Sequence, residues 1–371
     1  MKSVTAKLTT ALSVAWAVLA SASAVHAEPD VAAAKANVER YRALPVFTPP
    51  GEPFDAKGCM AGKKIMAMPV SSANPFNKNI VQAMSEVAKT MGFEVTEWEN
   101  QGRPIQWAEG IEHAANNDYD AAVLIGGVNP AVLVPQITEA RNKGLSVFTA
   151  HMYDTLQTPD PSSSELNLNV KYHEAGELLV DWMVAKTEGK VNALIIGSDE
   201  VVPTSAFVKG ITDKLDKCGE SCSYTYVNVP IPDWSTKVQT SVQSALISDP
   251  TINYVVPIYD SAIQFVLPAI TITGKKDQVK IVSFNGTPFV LDEMRKGNVE
   301  MDIGESIGWI ARSTLDGTMR KMCGLEAKDE LYVPFYIFDE SNVESAGTPA
   351  SFDQGYGDSY IGGYSQLWGL E

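Results

Sequence analysis

The stretch 65–84, IMAMPVSSANPFNKNIVQAM, changes its period in the middle. Ile65 to Val70 is a short, nearly unbroken apolar run, the pattern of a buried strand, whereas Ile80, Val81, Met84, Val87 and Ala88 recur at helical spacing. Ser71 to Asn77 therefore reads as a strand-to-helix loop, in which Pro75 fixes the turn and biases Asn74 toward an extended conformation. In an open α/β sheet the ligand crevice lies beyond the carboxyl ends of the strands, so this loop puts Asn74, Phe76 and Asn77 where a small molecule can sit. The same residues also suit a plain helix start, with Asn-Pro opening the helix and Phe76 packing against it.

Outward from this unit the alternation repeats. Strands are expected at 65–70, 93–99, 121–127 and 146–151, with helices from Phe76 to Met91, Pro104 to Asn117 and Pro130 to Lys143. A second round starts at Tyr172, with strands near 192–197, 224–229, 254–259 and 280–285. Such order implies parallel sheets with right-handed crossovers, built twice: two doubly wound, Rossmann-like α/β domains. Leu166 to Val170 and Met301 to Glu305 fit inside neither round and are expected to cross between domains. The expected division is an extension at 28–62, one lobe from 63–169 with 306–339, and a second from 170–305 with the tail 340–371. A helix at 307–322 and a strand at 332–338 would complete the first lobe. In the tail, Tyr356, Tyr360, Tyr364 and Trp368 recur every four residues, but Gly357, Gly362 and Gly363 argue against a helix.

Residues 1–27 read as a secretory leader: Lys2 and Lys7, an apolar segment from Leu8 to Leu19, and Val25-His26-Ala27 as the cleavage site, so that the exported chain starts at Glu28. No cysteine stands in or just after the apolar segment, which points to a free periplasmic protein rather than a lipid-anchored one. Without Lys2 and Lys7 the chain carries 27 basic against 45 acidic side chains, a net charge near −18 that repels nucleic acid and anionic lipid. Four cysteines in an exported chain suggest two disulfides with three connectivities. Cys218 and Cys222 bracket a turn and form the local pair, which leaves Cys59 with Cys323.

There is no GxSxG, no HExxH and no phosphate-binding glycine loop, and no two histidines are spaced as metal ligands. No cofactor, no metal and no catalytic group is expected. The strand ends carry instead a rim of polar and aromatic residues: Asn74, Phe76 and Asn77; His151, Met152 and Tyr153; Thr204 and Ser205; Asp233 and Trp234; Tyr259 and Asp260; Asn285 and Thr287. Directional hydrogen-bonding groups with flat apolar faces suit a polyhydroxylated ligand.

Several of these motifs carry a resemblance. Asn74-Pro75-Phe76 after a first strand, Asp233-Trp234, Tyr259-Asp260, SFNGTP at 283–288 and DIGES at 302–306 stand in the order and spacing of the periplasmic ribose- and galactose-binding family, which the chain resembles from about Lys63 to Asp339. The resemblance implies two lobes closing on a sugar, delivery to a membrane permease of the ABC class, and ligand contacts from Asn74, Phe76, Trp234, Tyr259 or Asp260, Asn285 and Glu305. Three departures stand out. His151-Met152 replaces an Asp-Arg pair, Phe207 or Val208 replaces an arginine, and Asn285 replaces the aspartate of Phe-Asp-Gly. Two guanidinium forks are thereby missing. The chain is thus expected to be a monomeric periplasmic receptor for a sugar or polyol, with a chemoreceptor as a further candidate partner. The competing readings are an exported carbohydrate-active enzyme using Asp260 and Glu305, and a regulator of the same fold, which would need an N-terminal DNA-binding module where this chain has a leader.

Overall fold

The computed structural model describes residues 29–127, 129–352 and 354–370. The expected leader and its cleavage site after Ala27 lie outside the described residues. An N-terminal extension carries α1 (Val31–Arg40), capped by the Asp30 carboxylate on the Ala33 amide, and α2 (Ala56–Met60). The chain then alternates β1 (Lys64–Pro69), α3 (Pro75–Met91), β2 (Glu94–Glu97), α4 (Pro104–Asn116), β3 (Ala121–Ile125), α5 (Val134–Asn142), β4 (Ser146–Asp154) and β5 (Leu166–Val170). These strands form one parallel sheet in the order β2-β1-β3-β4-β5.

The second round runs α6 (Tyr172–Thr187), β6 (Val191–Gly197), α7 (Pro203–Lys217), β7 (Cys222–Asn228), α8 (Trp234–Ser248), β8 (Tyr254–Pro257), α9 (Ile263–Ile272), β9 (Lys280–Asn285), α10 (Pro288–Arg295) and β10 (Met301–Gly304). Then follow α11 (Ile307–Met322), β11 (Tyr336–Asp339) and α12 (Ser359–Leu367). The second sheet reads β11-β10-β9-β8-β6-β7, parallel except for the antiparallel β10–β11 pair. Continuous apolar runs such as AAVLI in β3 are buried along their whole length because helices cover both faces of the sheet. The two α/β lobes are those read from the sequence.

Four expectations change. The segments 166–170 and 301–305 were expected only to cross; β5 instead completes the first sheet and β10 extends the second. The strand expected at 332–338 in the first lobe forms at Tyr336–Asp339 and pairs with β10, so 336–339 lies in the second sheet. All four of its residues are buried, and the free edge of β10 supplies its ladder. Finally, the tail does form a helix. Tyr360, Tyr364 and Leu367 bury one face of α12, with Trp368 beside them, and the burial of those side chains outweighs the cost of Gly362 and Gly363, of about 1 kcal/mol each. Gly363 is needed there, since a Cβ would meet the Phe47 ring at 2.1 Å.

Both terminal segments span the two lobes. In the extension, α1 packs on α6 of the second lobe, with Asn37 donating to Asp181 at 2.6 Å. Farther on, Phe47 lies edge-on to Tyr364 at 4.9 Å, and the Phe54 amide donates to the Leu367 carbonyl. The tail runs the other way, from Tyr356 in the second lobe to α12 against α11 in the first. A buried pair fastens both: Arg320 donates to Asp316 at 2.8 Å and to the Glu52 carbonyl, while Asp316 also receives the Trp368 indole N–H. Cys59–Cys323 ties α2 to the end of α11, and Cys218–Cys222 closes the turn after α7. Both pairings are those expected.

Candidate functional site

The loops beyond the strand ends of the two sheets face each other across the hinge, and the lobes are closed. The Val202 amide donates to the Gly127 carbonyl at 3.2 Å, Gln157 donates to Ser205 at 3.3 Å, and Ser261 donates to Asn74 Oδ1 at 3.3 Å. Between these contacts remains a cavity of about 30 Å³, lined from the first lobe by Asn74, Phe76, Asn77, Gly126 and His151, and from the second by Tyr172, Val201, Pro203, Tyr259 and Asn285 among others. That volume admits roughly one or two waters, far below the ~300 Å³ of an ordinary ligand pocket, so a sugar enters only if the lobes part.

Each polar group is placed by local chemistry. Asn74 is extended, with φ −83° and ψ 114°, and caps α3 by accepting from the Asn77 amide at 3.2 Å. The helix-start reading of this loop therefore holds, and the residues still line the cleft. Asn77 Oδ1 is buried with no partner among the described residues. His151 sits where the β4–β5 register shifts between Ala150 and Asp154, with a left-handed φ of 54°. Such a bulge re-aims a side chain. Its Nε2 lies 2.6 Å from Glu305 Oε2, and its Nδ1 lies 2.6 Å from the Tyr172 hydroxyl. Glu305 Oε1 has no partner among the described residues, and its residue is 1% exposed. Asn285 is 2% exposed at φ 138°, and its carbonyl accepts from the Glu305 amide at 3.2 Å.

Of the nine residues expected at the ligand, Asn74, Phe76, Asn77, His151, Tyr259 and Asn285 meet around the cavity. Glu305 stands one hydrogen bond behind His151. Asp260 lies beneath, fully buried, accepting from the Thr287 amide at 2.7 Å and the Thr287 hydroxyl at 2.6 Å. Trp234 lies outside the lining: its indole N–H donates to Ser198 and to the Val229 carbonyl, and its ring stacks on Tyr259 at 6.5 Å. Tyr172 was not singled out from the sequence. Its position directly after a crossing, at the first turn of α6, was the available signal. Phe207, where an arginine was missed, is fully buried against Tyr172, Tyr259 and Phe284. No arginine or lysine lines the cavity among the described residues.

A roomier groove of about 430 Å³ lies elsewhere, under residues 40–48 against 330–335. Its carboxylates are already paired, Glu174 with the Tyr41 hydroxyl and Glu330 with Lys171 at 3.4 Å. Unpartnered acceptors make the interlobe cleft the better candidate.

Two carboxyls under the cleft are shifted by burial. Desolvation pushes Asp260 up to about 7, against hydrogen bonds from Thr287 and Ser261 that lower it. Asp302, whose Oδ1 accepts from the Gly286 amide at 2.7 Å, is raised well above the usual carboxylate range by burial first and by Asp260 second. Between roughly pH 4 and 7 the folded state holds protons that the unfolded state has released. The stability from this pair is therefore fully present below about pH 4 and is lost as pH rises through about 7. Asp302→Asn should flatten that loss, by up to about 1.4 kcal/mol per pH unit for each proton concerned. Urea midpoints of wild type and variant at pH 5.5 and 7.5 check it; parallel shifts in both proteins would refute it.

Residues 65–326 match the family model described as periplasmic binding protein domain. The chain belongs to that family. Members of the fold solved with ligands include an ABC transporter solute binding protein from Agrobacterium vitis with allitol, at 17% identity and TM-score 0.67, covering 77% of this chain and 98% of that one. A 5-methylthioribose transporter solute binding protein from Thermotoga lettingae has 19% identity and TM-score 0.67, covering 77% and 89%. The Caulobacter myo-inositol binding protein has 17% identity and TM-score 0.66, covering 79% and 96%. No curated protein matches the chain. At these identities the likeness establishes the fold, and the family match leaves both terminal segments uncovered. No described helix is long and apolar enough to cross a membrane.

Proposed function

We propose that this periplasmic binding protein captures a neutral or cationic sugar or polyol between its lobes and delivers it to an ABC importer, after export and cleavage behind Ala27. The observation that carries the ligand class is the imbalance of the cleft. Among the described residues it offers a lining acceptor without a partner, Asn77 Oδ1, with a second unpartnered acceptor, Glu305 Oε1, one hydrogen bond behind His151, and no guanidinium or ammonium in the lining. Hydroxyl donors of a polyol fit such acceptors, and an ammonium adds a charge-assisted bond. A sugar acid or phosphate would bring a second negative charge with no fork to receive it. The similar structures solved with allitol, 5-methylthioribose and myo-inositol support the polyhydroxylated class.

The enzyme alternative fares worse. Both Asp260 oxygens accept from Thr287, Glu305 Oε2 is held by His151, and neither carboxyl lines the cavity where a substrate would sit. A monomer, and a chemoreceptor that reads the closed form, remain part of the proposal.

Calorimetry against allitol, myo-inositol, D-allose, an amino sugar and a sugar acid tests it. We expect saturable binding of a neutral or cationic member and none of the acid. Small-angle scattering should show a smaller radius of gyration with the binder, because a ligand stabilises closure by its differential affinity for the closed form. Tight binding of the sugar acid alone, or turnover of any sugar, would overturn the reading.

A further inference from the structure

Asn285 holds φ at 138°, a conformation that a residue with a Cβ rarely adopts and that persists only where its surroundings over-determine it. Those surroundings are visible. The next two amides are fixed by carboxyls, Gly286 by Asp302 at 2.7 Å and Thr287 by Asp260 at 2.7 Å, and the Asn285 carbonyl is held by the Glu305 amide. The remaining side is closed by the tail. A Cβ on Gly286 would lie 2.2 Å from the Tyr356 hydroxyl, and one on Gly304 would lie 2.4 Å from it. The Tyr356 ring is 1% exposed, set edge-on to Phe338 at 5.0 Å and to Tyr336 at 5.9 Å, so it cannot swing away without breaking that nest. Among the described residues neither its hydroxyl nor Asp302 Oδ2 has a hydrogen-bond partner. Packing against the two glycines is therefore what the phenol end does.

We propose that Tyr356 is a positioning residue for the cleft: from a tail outside the matched family region, it wedges against Gly286 and Gly304 and holds Asn285 in the conformation that presents its side chain to the ligand. The proposal rests on the reading of Asn285 as a cleft group. The two glycines, Gly286 beside Asn285 and Gly304 beside Glu305, are then explained by the space that the Tyr356 ring needs.

The test separates the wedge from general stability. Hydrogen exchange at the Gly286 and Thr287 amides is measured in the unliganded protein for wild type, Tyr356→Ala, Tyr356→Phe and Tyr360→Ala, alongside calorimetry with allitol, myo-inositol and D-allose. Tyr360 is a control from the same tail, fully buried but stacked on Trp309 at 4.8 Å in the first lobe. Tyr356→Ala should speed exchange at both amides tenfold or more and weaken binding tenfold or more, whereas Tyr356→Phe, which keeps the ring in its nest but removes the hydroxyl nearest the two glycines, should show a smaller loss of the same kind, about threefold. Tyr360→Ala should lower the thermal midpoint and leave the relative protection of the two amides unchanged. Should Tyr356→Ala not fold, Tyr356→Leu, which fills the nest without reaching Gly286, takes its place with the same expectations. Wild-type exchange rates in the Ala or Leu variant, or the same local loss in Tyr360→Ala, would overturn the proposal. Absence of binding by the wild type would defeat the sugar reading alone, since the exchange data need no ligand.

Discussion

Replacing Cys59 and Cys323 together by serine should lower the free energy of unfolding by about 2–5 kcal/mol, the largest stability change expected here. The disulfide joins residues 264 apart in sequence, and in the chain-entropy model a loop of that length constrains the unfolded chain by about 5 kcal/mol. Residual structure in the unfolded chain reduces the figure. The location makes the effect specific. The bridge holds α2 at the end of α11, next to Arg320, whose guanidinium reaches the Glu52 carbonyl and lies over the Phe54 ring at 4.6 Å. Loss of the bridge should therefore loosen the extension before the lobes, giving earlier proteolysis within residues 42–58 than in either sheet. Cys218–Cys222 closes a loop only 4 residues apart, and its removal should cost far less. Urea unfolding of the double variants decides this; equal midpoints for wild type and the Cys59/Cys323 variant would show that the extension is held by its noncovalent contacts alone.

The doubled α/β architecture was legible because its strands are buried on both faces and its helices on one, so that period and order alone specify the sheets. Asn74 illustrates the limit of that reading. Asn-Pro announces a loop and a helix start, but whether its amide serves the cap or a ligand depends on Ser261, which lies 187 residues away and reaches it only across the closed cleft. His151 was legible as a residue at a strand end, but its bulge was not, because a register shift is a property of two paired strands. The tail shows the reverse error. Glycine counted against a helix locally, while the Phe47 ring that requires Gly363 came from the other end of the chain. Tertiary packing overrides propensity where a buried aromatic face outweighs it.

Glu305→Ala should weaken binding of the cleft ligand by thirtyfold or more, the largest functional effect expected. Two losses combine. The cleft loses a buried acceptor just behind its lining, Oε1, and the His151 Nε2 loses the carboxylate that it meets at 2.6 Å where the first lobe touches the crossing after β10. Truncating one member of a buried hydrogen-bonded pair costs about 2–5 kcal/mol when the other stays behind, and thirtyfold corresponds to the lower end of that range. Because the pair joins His151 of the first lobe to a residue anchored on Asn285 of the second, part of the loss falls on closure itself. Glu305→Gln keeps an oxygen for His151 and removes the charge, so it should affect a neutral polyol much less than an amino sugar. His151→Phe replaces the ring beside Phe76 and Phe284 without leaving a donor behind, and combining it with Glu305→Ala should cost less than the sum of the two single changes. Calorimetry on the four variants gives the coupling directly. A Glu305→Ala protein that binds within threefold of wild type would remove Glu305 from the site, and strictly additive losses would show that the His151 contact takes no part in holding the ligand.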